Sequence, residues 1–212
     1  MNHNFPNNSI DLVIFNLNDI LLETSIVLEG ALRNALLDFF PNINFGHHHY
    51  LNNNYNVPAS IKLYKLKQET KLPSNLMKKI DWAYEEYAKD AIQYMSLSDN
   101  VIECLDFIGV SGYKIVVVSN TRPELLDHMI ETTGLDEFIH YYKSTKESDI
   151  HNIIPDTSII DHVKRRFRKS KQKVVYVDNN SLGEYMAEQS EIYYMGLSEQ
   201  ESINIDMFKH WG

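Results

Sequence analysis

Cysteine occurs once in this chain, at Cys104, which rules out an internal disulfide and any cysteine-rich zinc site. A reducing intracellular compartment, most simply the cytoplasm, is the expectation that goes with it. Long apolar runs are missing too: no stretch approaches the roughly 18 residues needed to span a bilayer. The opening "MNHNFPNNSI" has neither the basic start nor the apolar core of a secretory signal. Positive charge is in deficit, 20 Lys and Arg against 29 Asp and Glu, giving a net charge of -9. Neither nucleic acid nor an anionic membrane is expected as a partner. Glycine is scarce at 8 residues, while Asn, Ile, Tyr and Lys are plentiful, a bias that fits an AT-rich genome. Internal repeats are absent, and "PNNS" and "LNNNYN" read as loops with that same bias.

What remains is an ordinary globular composition, 43% apolar over 212 residues, enough for one α/β domain plus an insertion. Three β-branched runs predict buried strands: Asp11–Leu17, Lys114–Ser119 and Lys173–Val177. Glu191–Gly196 is a fourth and Phe138–Lys143 a fifth. Helical patterns fall between them, at Val101–Ile108, Pro123–Thr133, Ser158–Arg168 and Leu182–Gln189. Pro123 suits a first helical turn and Gly134 suits a helix stop. Alternating strands and helices predict a layered α/β fold with a parallel sheet and right-handed crossovers.

From about Ile20 to Ser96 the pattern changes. "SIVLEGALRNALLDFF" and "SNLMKKIDWAYEEYAKDAIQYM" are amphipathic helices with "ASIKLYKLKQET" between them, and no strand is evident. The expected organisation is therefore an α/β core of residues 1–20 and 97–212, with residues 21–96 as a helical cap inserted after the first strand.

Ligands of parallel sheets sit at the C-terminal ends of the strands. Three strand exits deserve inspection: Asn16–Asp19, Ser119–Arg122 and Asp178–Ser181, and all are polar. With these elements in order, the chain resembles the haloacid dehalogenase-like (HAD) superfamily of phosphohydrolases. The resemblance rests on "IFNLNDILLET" for the opening Asp-x-Asp motif, "YKIVVVSNTRPELLDHMIETTGLDEFI" for the strand ending in Ser or Thr, and "VVYVDNNSLGEYMA" for the closing acidic motif. It implies a Rossmann-like parallel-sheet core with a helical cap. It further implies an aspartyl nucleophile, a second Asp as general acid and base, and magnesium held by carboxylates.

The residues depart from that pattern. Asn16 stands at the nucleophile and Asn18 at the acid/base position, and a neutral amide neither attacks phosphorus nor shuttles a proton near neutral pH. Asn179 replaces the metal-binding acid, Asp178 stands where Gly or Asp is common, and the motif's further acidic position falls on Gly183. The phosphate-binding lysine aligns with Ile154, with Lys143 or Lys146 as substitutes. Ser119 and Asn120 are retained. Losing groups that act as a unit removes most of a rate enhancement.

The expectation is thus a catalytically inactive HAD-like pseudophosphatase serving as a binding or scaffold module. Asn16, Asn18, Ser119 and Asn120 are the candidates for a phosphate-bearing or carboxylated small molecule, and a protein partner is a further option. No cofactor is expected. Two alternatives stay open. One is an active magnesium-dependent phosphatase or nucleotidase with relocated acids, its metal candidates being Asp19, Asp178 and Asn179. The other is an oligomeric structural protein that uses the cap as its interface. Asp19 lies out of strand phase with Asn16 and Asn18, so it is expected to point elsewhere.

Other features read more plainly as structure. His47–His49 suggest a metal site less than a solvated loop, because adjacent residues of an extended loop cannot all face one ion. The basic block Lys164–Lys173 reads as a helix C-terminus and turn, with an acidic partner as the alternative. Trp82, Tyr84, Tyr87 and Tyr94 read as packing rather than a ligand cleft, and Cys104 as a small buried hydrophobe.

Overall fold

The computed structural model describes residues 10–51, 57–144, 157–170, 173–198, 201–209 and 211. Five parallel strands form one sheet in the order β3-β2-β1-β4-β5. They are β1 Leu12–Asn16, β2 Lys114–Ser119, β3 Tyr141–Ser144, β4 Val174–Asp178 and β5 Tyr193–Gly196. Every residue of β1 and β4 is buried, as a strand with helices on both faces requires.

Side-chain alternation sorts the sheet into two apolar layers. Val13, Phe15, Ile115, Val117, Val175 and Val177 face one layer. Leu12, Ile14, Val116, Val118, Val174 and Tyr176 face the other. Helices α4 (Asp99–Val110) and α5 (Pro123–Thr133) contribute buried side chains to the first layer. Helices α6 (Ser158–Phe167) and α7 (Ser181–Gln189) contribute to the second. The C-terminal Phe208 and Trp211 close the first layer, Phe208 against Phe15 and Trp211 against Tyr113.

Local chemistry fixes several element ends. Ser98 caps α4 by accepting from the Val101 N–H, and Pro123 opens α5. Gly134 ends α5 at φ 68°, a left-handed conformation that glycine adopts without steric cost. The fifth strand begins later than the sequence suggests, at Tyr141. The Phe138 N–H is drawn back to the Leu135 carbonyl in a short 3₁₀ turn that precedes it.

Between β1 and α4 lie three further helices, α1 (Thr24–Phe39), α2 (Ala59–Thr70) and α3 (Ser74–Ile92). Leu32, Ala35 and Leu36 of α1, Leu63 and Leu66 of α2, and Ile80, Ala83 and Ala88 of α3 share one buried cluster. Tyr84 is buried in α3, whereas Trp82 and Tyr94 are exposed, so the aromatic residues divide between packing and surface. Cys104 is fully buried, and burial pushes its thiol up to about 12, which suits packing rather than nucleophilic chemistry. Among the described residues no helix is long and apolar enough to cross a membrane.

Candidate functional site

The strand order reverses around β1, and the C-terminal ends of β2, β1 and β4 meet there, the crevice position of parallel sheets. Register sets the three exits side by side, Asn16 opposite Val118 and Phe15 opposite Val177. Asn16, Asn18, Ser119 and Asp178 are all buried polar residues at this edge.

These side chains satisfy one another. The Asn16 Nδ2 donates to Asp178 Oδ1 at 3.0 Å, and the Asn16 carboxamide oxygen faces the Asn18 N–H at 3.4 Å. Ser119 Oγ donates to Asn18 Oδ1 at 2.7 Å and itself accepts from the Thr121 N–H at 3.0 Å. Asp178 is the hub. Its Oδ1 also accepts from the Asn179 N–H at 2.8 Å and from Asn180 Nδ2 at 2.6 Å, while Oδ2 accepts from Tyr176 Oη at 3.1 Å. Burial pushes the Asp178 carboxyl up to about 6, although the donors from Asn16, Asn179 and Tyr176 oppose that shift. The same aspartate burdens its neighbour: burial, then the Asp178 charge, holds the Tyr176 phenol well above its ordinary range.

The other acid holds α1, although its charge still adds to the rise of the Asp178 carboxyl. Asp19 takes a left-handed backbone at φ 59°. Its carboxylate accepts from the Ser25 N–H at 3.0 Å and from the Ser25 hydroxyl, holding the first turn of α1. Asn179 reaches across with Nδ2 to the Asp19 carbonyl at 3.4 Å. Asn180 caps α7 by accepting from the Leu182 and Gly183 N–H groups, each at 3.0 Å. Lys143 lies on β3, two strands from Asn16 with β2 between them. Lys146 and Ile154 fall outside the described residues.

Open space begins just beyond this network. A cleft runs between the β2–α5 turn and helices α1 to α3, with Asn18, Asn120, Thr121 and Arg122 on the sheet side. Ser25, Glu29, Lys62 and Tyr84 line the helical side. Asn16, Ser119 and Asp178 are not part of its wall. Lys62 is only 4% exposed and its ammonium meets Glu29 at 3.3 Å. Burial lowers the Lys62 pKa, and the Glu29 charge opposes that shift. Arg122 pairs with Asp81 of α3 and sits 5.5 Å from the Tyr84 ring.

Sequence reasoning reached Arg122 as part of a strand exit but passed over Lys62. The signal was present: Lys62 follows Ala59 by three residues and precedes Leu66 by four, so it shares the apolar stripe of its helix. The remaining motifs meet local partners. His48 pairs with Glu69 at 3.0 Å, and Tyr50 Oη donates to the same carboxylate at 2.9 Å. Among the described residues no three His, Cys, Asp or Glu side chains are grouped as a metal site. Within the basic block, Lys169 and Lys173 both reach Asp11, and Lys164 donates to the Ser190 carbonyl.

The sheet order, the polar strand exits and the three helices after β1 define an α/β fold of the hydrolase kind, and the profile of the haloacid dehalogenase-like hydrolase family matches residues 13–197. The chain belongs to that family. Among solved structures it is similar to a predicted phosphoglycolate phosphatase of Haemophilus somnus, at 16% identity and a TM-score of 0.73, covering 95% of this chain and 92% of that one. CbbY of Rhodobacter sphaeroides, solved in complex with phosphate, gives 12% identity and a TM-score of 0.72, covering 89% and 86%. A HAD-superfamily hydrolase of Geobacter sulfurreducens gives 15% identity and a TM-score of 0.65, covering 90% and 89%. At these identities the likeness is one of fold. No curated protein sequence matches.

Proposed function

We propose that this chain is a HAD-fold pseudophosphatase. In this reading residues 21–96 form a cap over the sheet edge, and the protein binds a small anionic molecule without transferring phosphoryl groups. The observation that carries the reading is the hydrogen bond from Asn16 to Asp178. An amide stands where the family's chemistry needs a nucleophilic carboxylate, and it is committed as a donor to the site's one buried acid.

The magnesium chemistry of the family meets the same obstacle. A hard divalent cation needs several oxygen ligands, usually with more than one carboxylate converging on it. Asp178 is engaged by four donors and Asp19 is turned to Ser25, and among the described residues no three His, Cys, Asp or Glu side chains are grouped. Asn16, Asn18 and Asn179 offer only neutral carbonyl oxygens. This donor set does not fit the ion, and no step is derived through it.

The competing reading, an active phosphatase or nucleotidase like those named among the structural neighbours, needs Asp19 or Asp178 released from these partners. Phosphate release in the presence of magnesium, on a broad panel of phosphomonoesters, separates the two. The expected result is turnover no higher than that of an Asn16→Ala, Asn18→Ala control. Turnover that disappears in Asp178→Asn or Asp19→Asn would establish the enzyme instead.

A further inference from the structure

Cations in the cleft are placed where a strand-end phosphate site does not need them. Lys62 comes from α2 and Arg122 from the turn after β2, and both line a cleft that Asn18 and Asn120 also line. The N-terminal turn of α2 contributes Pro58 and Ala59 to the same rim, adding the positive end of a helix dipole. Among the described residues of this lining Glu29 is the one carboxylate, and Asp81, just outside it, pairs with the second cation. A lysine this deeply buried is costly unless something holds its charge. Glu29 holds it from one side, and an ammonium has three N–H donors to offer. Arg122 is held by Asp81 and braced on Tyr84, which fixes a planar fork of donors at the mouth of the cleft.

By contrast, the strand-end position has closed on itself. Ser119 is 2% exposed and its Oγ spends its hydrogen on Asn18, while Asn16 spends its amide on Asp178. An oxyanion arriving there would have to displace these bonds, and it would meet the buried Asp178 carboxylate. In the cleft it meets two cationic side chains, each already held in place by a carboxylate, Glu29 for Lys62 and Asp81 for Arg122.

We propose that the anion-binding position of this protein has moved from the strand ends to the cleft, where Lys62 and Arg122 together hold the oxyanion head of a small organic acid. Asn18 and Asn120 contact its polar remainder. This rests on the reading that the protein binds a small anion, and it names the residues and the ligand class. The shared chemistry is a carboxylate or phosphate head on a small polar body.

The test is titration of the full chain, by calorimetry or amide-resolved NMR, with inorganic phosphate, methyl phosphate, glycolate and acetate. The phosphate and carboxylate arms show which head is preferred. Binding of at least one probe is expected, weakened about tenfold or more by Lys62→Met and by Arg122→Met, as the loss of a charge-assisted hydrogen bond implies. Lys62→Arg is expected to retain it. Ser119→Ala, which removes a donor to Asn18 but no charge from the cleft, is expected to weaken binding less than either cation variant does. Thermal melts establish that each variant is folded, and amide shifts locate the probe in the wild-type chain independently of any variant. Loss of binding in Ser119→Ala with retention in Lys62→Met, or shifts centred on Asn16 and Ser119, would put the anion back at the strand ends. That outcome overturns this proposal and leaves the binding reading intact. Absence of binding by every probe would overturn both.

Discussion

Gly183 and Asp178 occupy one space. A Cβ placed on Gly183 would lie 2.2 Å from Asp178 Oδ2 and 2.6 Å from Asp178 Cβ, closer than real contacts allow. The acid on β4 is accommodated as it stands because the first turn of α7 has a glycine facing it. The HAD resemblance implies Gly or Asp at 178 and an acid at 183. Here position 183 is glycine, and the carboxylate at 178 meets the Asn16 amide.

This exclusion is measurable. Gly183→Ala should destabilise the protein by about 1–3 kcal/mol through overpacking, because Asp178 is pinned by four donors and cannot swing aside. In an Asp178→Gly background the same change should cost far less. Urea denaturation of the four proteins in a double-mutant cycle gives the coupling, and a coupling near zero would show that the two positions are independent.

Restoring an acid at the nucleophile position carries its own penalty. Asn16→Asp would replace a donor with a second carboxylate 3.0 Å from the first. At pH 8 both would be ionised and repel, whereas at pH 5 a proton held by Asp178 can bridge them. Denaturation midpoints should fall in Asn16→Asp by the equivalent of about 2 kcal/mol or more at pH 8, and by less at pH 5. An equal loss at both values would mean that the two side chains do not interact.

Burial raises Asp178 in the folded protein to about 6 from an ordinary 3.8. Between those values the folded state holds this proton more tightly than the unfolded chain does. Its contribution to stability is therefore full below about pH 4 and is lost as pH rises through 6, roughly 3 kcal/mol in all. Asp178→Asn keeps an acceptor for the Asn16, Asn179 and Asn180 donors, and Tyr176 Oη can turn to accept. Relative to the parent, the variant should gain stability by that amount between pH 4 and pH 8. A difference that stays flat across this range would show that Asp178 titrates as an exposed acid.

Asp19 is assigned to holding α1, and its variants distinguish that role from a chemical one. Asp19→Ala should cost about 1 kcal/mol, as the loss of a helix-start acceptor does. Asp19→Asn should cost little, since its amide oxygen still accepts from the Ser25 N–H and Asn tolerates the left-handed backbone at φ 59°. Thermal melts of the two variants decide this, and equal losses would contradict the assignment.

Particular residues show how far the sequence could be read. β-branched runs such as "KIVVVS" have nowhere to go but a covered parallel sheet, and Pro123 and Gly134 mark the ends of α5 as they stand. The start of β3 was less legible, because "FIHYYK" is apolar from Phe138 onward, directly after the 3₁₀ turn Leu135–Glu137 that delays the strand. At the site, strand phase alone separates Asp19 from Asn16 and Asn18. The Asp178–Gly183 exclusion was not legible, since it depends on how closely α7 approaches β4. Nor was the cleft, because nothing in the sequence shows that Lys62 of α2 and Arg122 of the β2–α5 turn line the same space.

The most direct test of the central claim is intact-protein mass spectrometry of the unmodified chain after incubation with magnesium and acetyl phosphate. The account predicts no phosphoryl adduct, with a catalytically competent HAD phosphatase as the positive control. A hydroxylamine-sensitive adduct mapping to the Asn16–Asp19 segment or to Asp178 would contradict it.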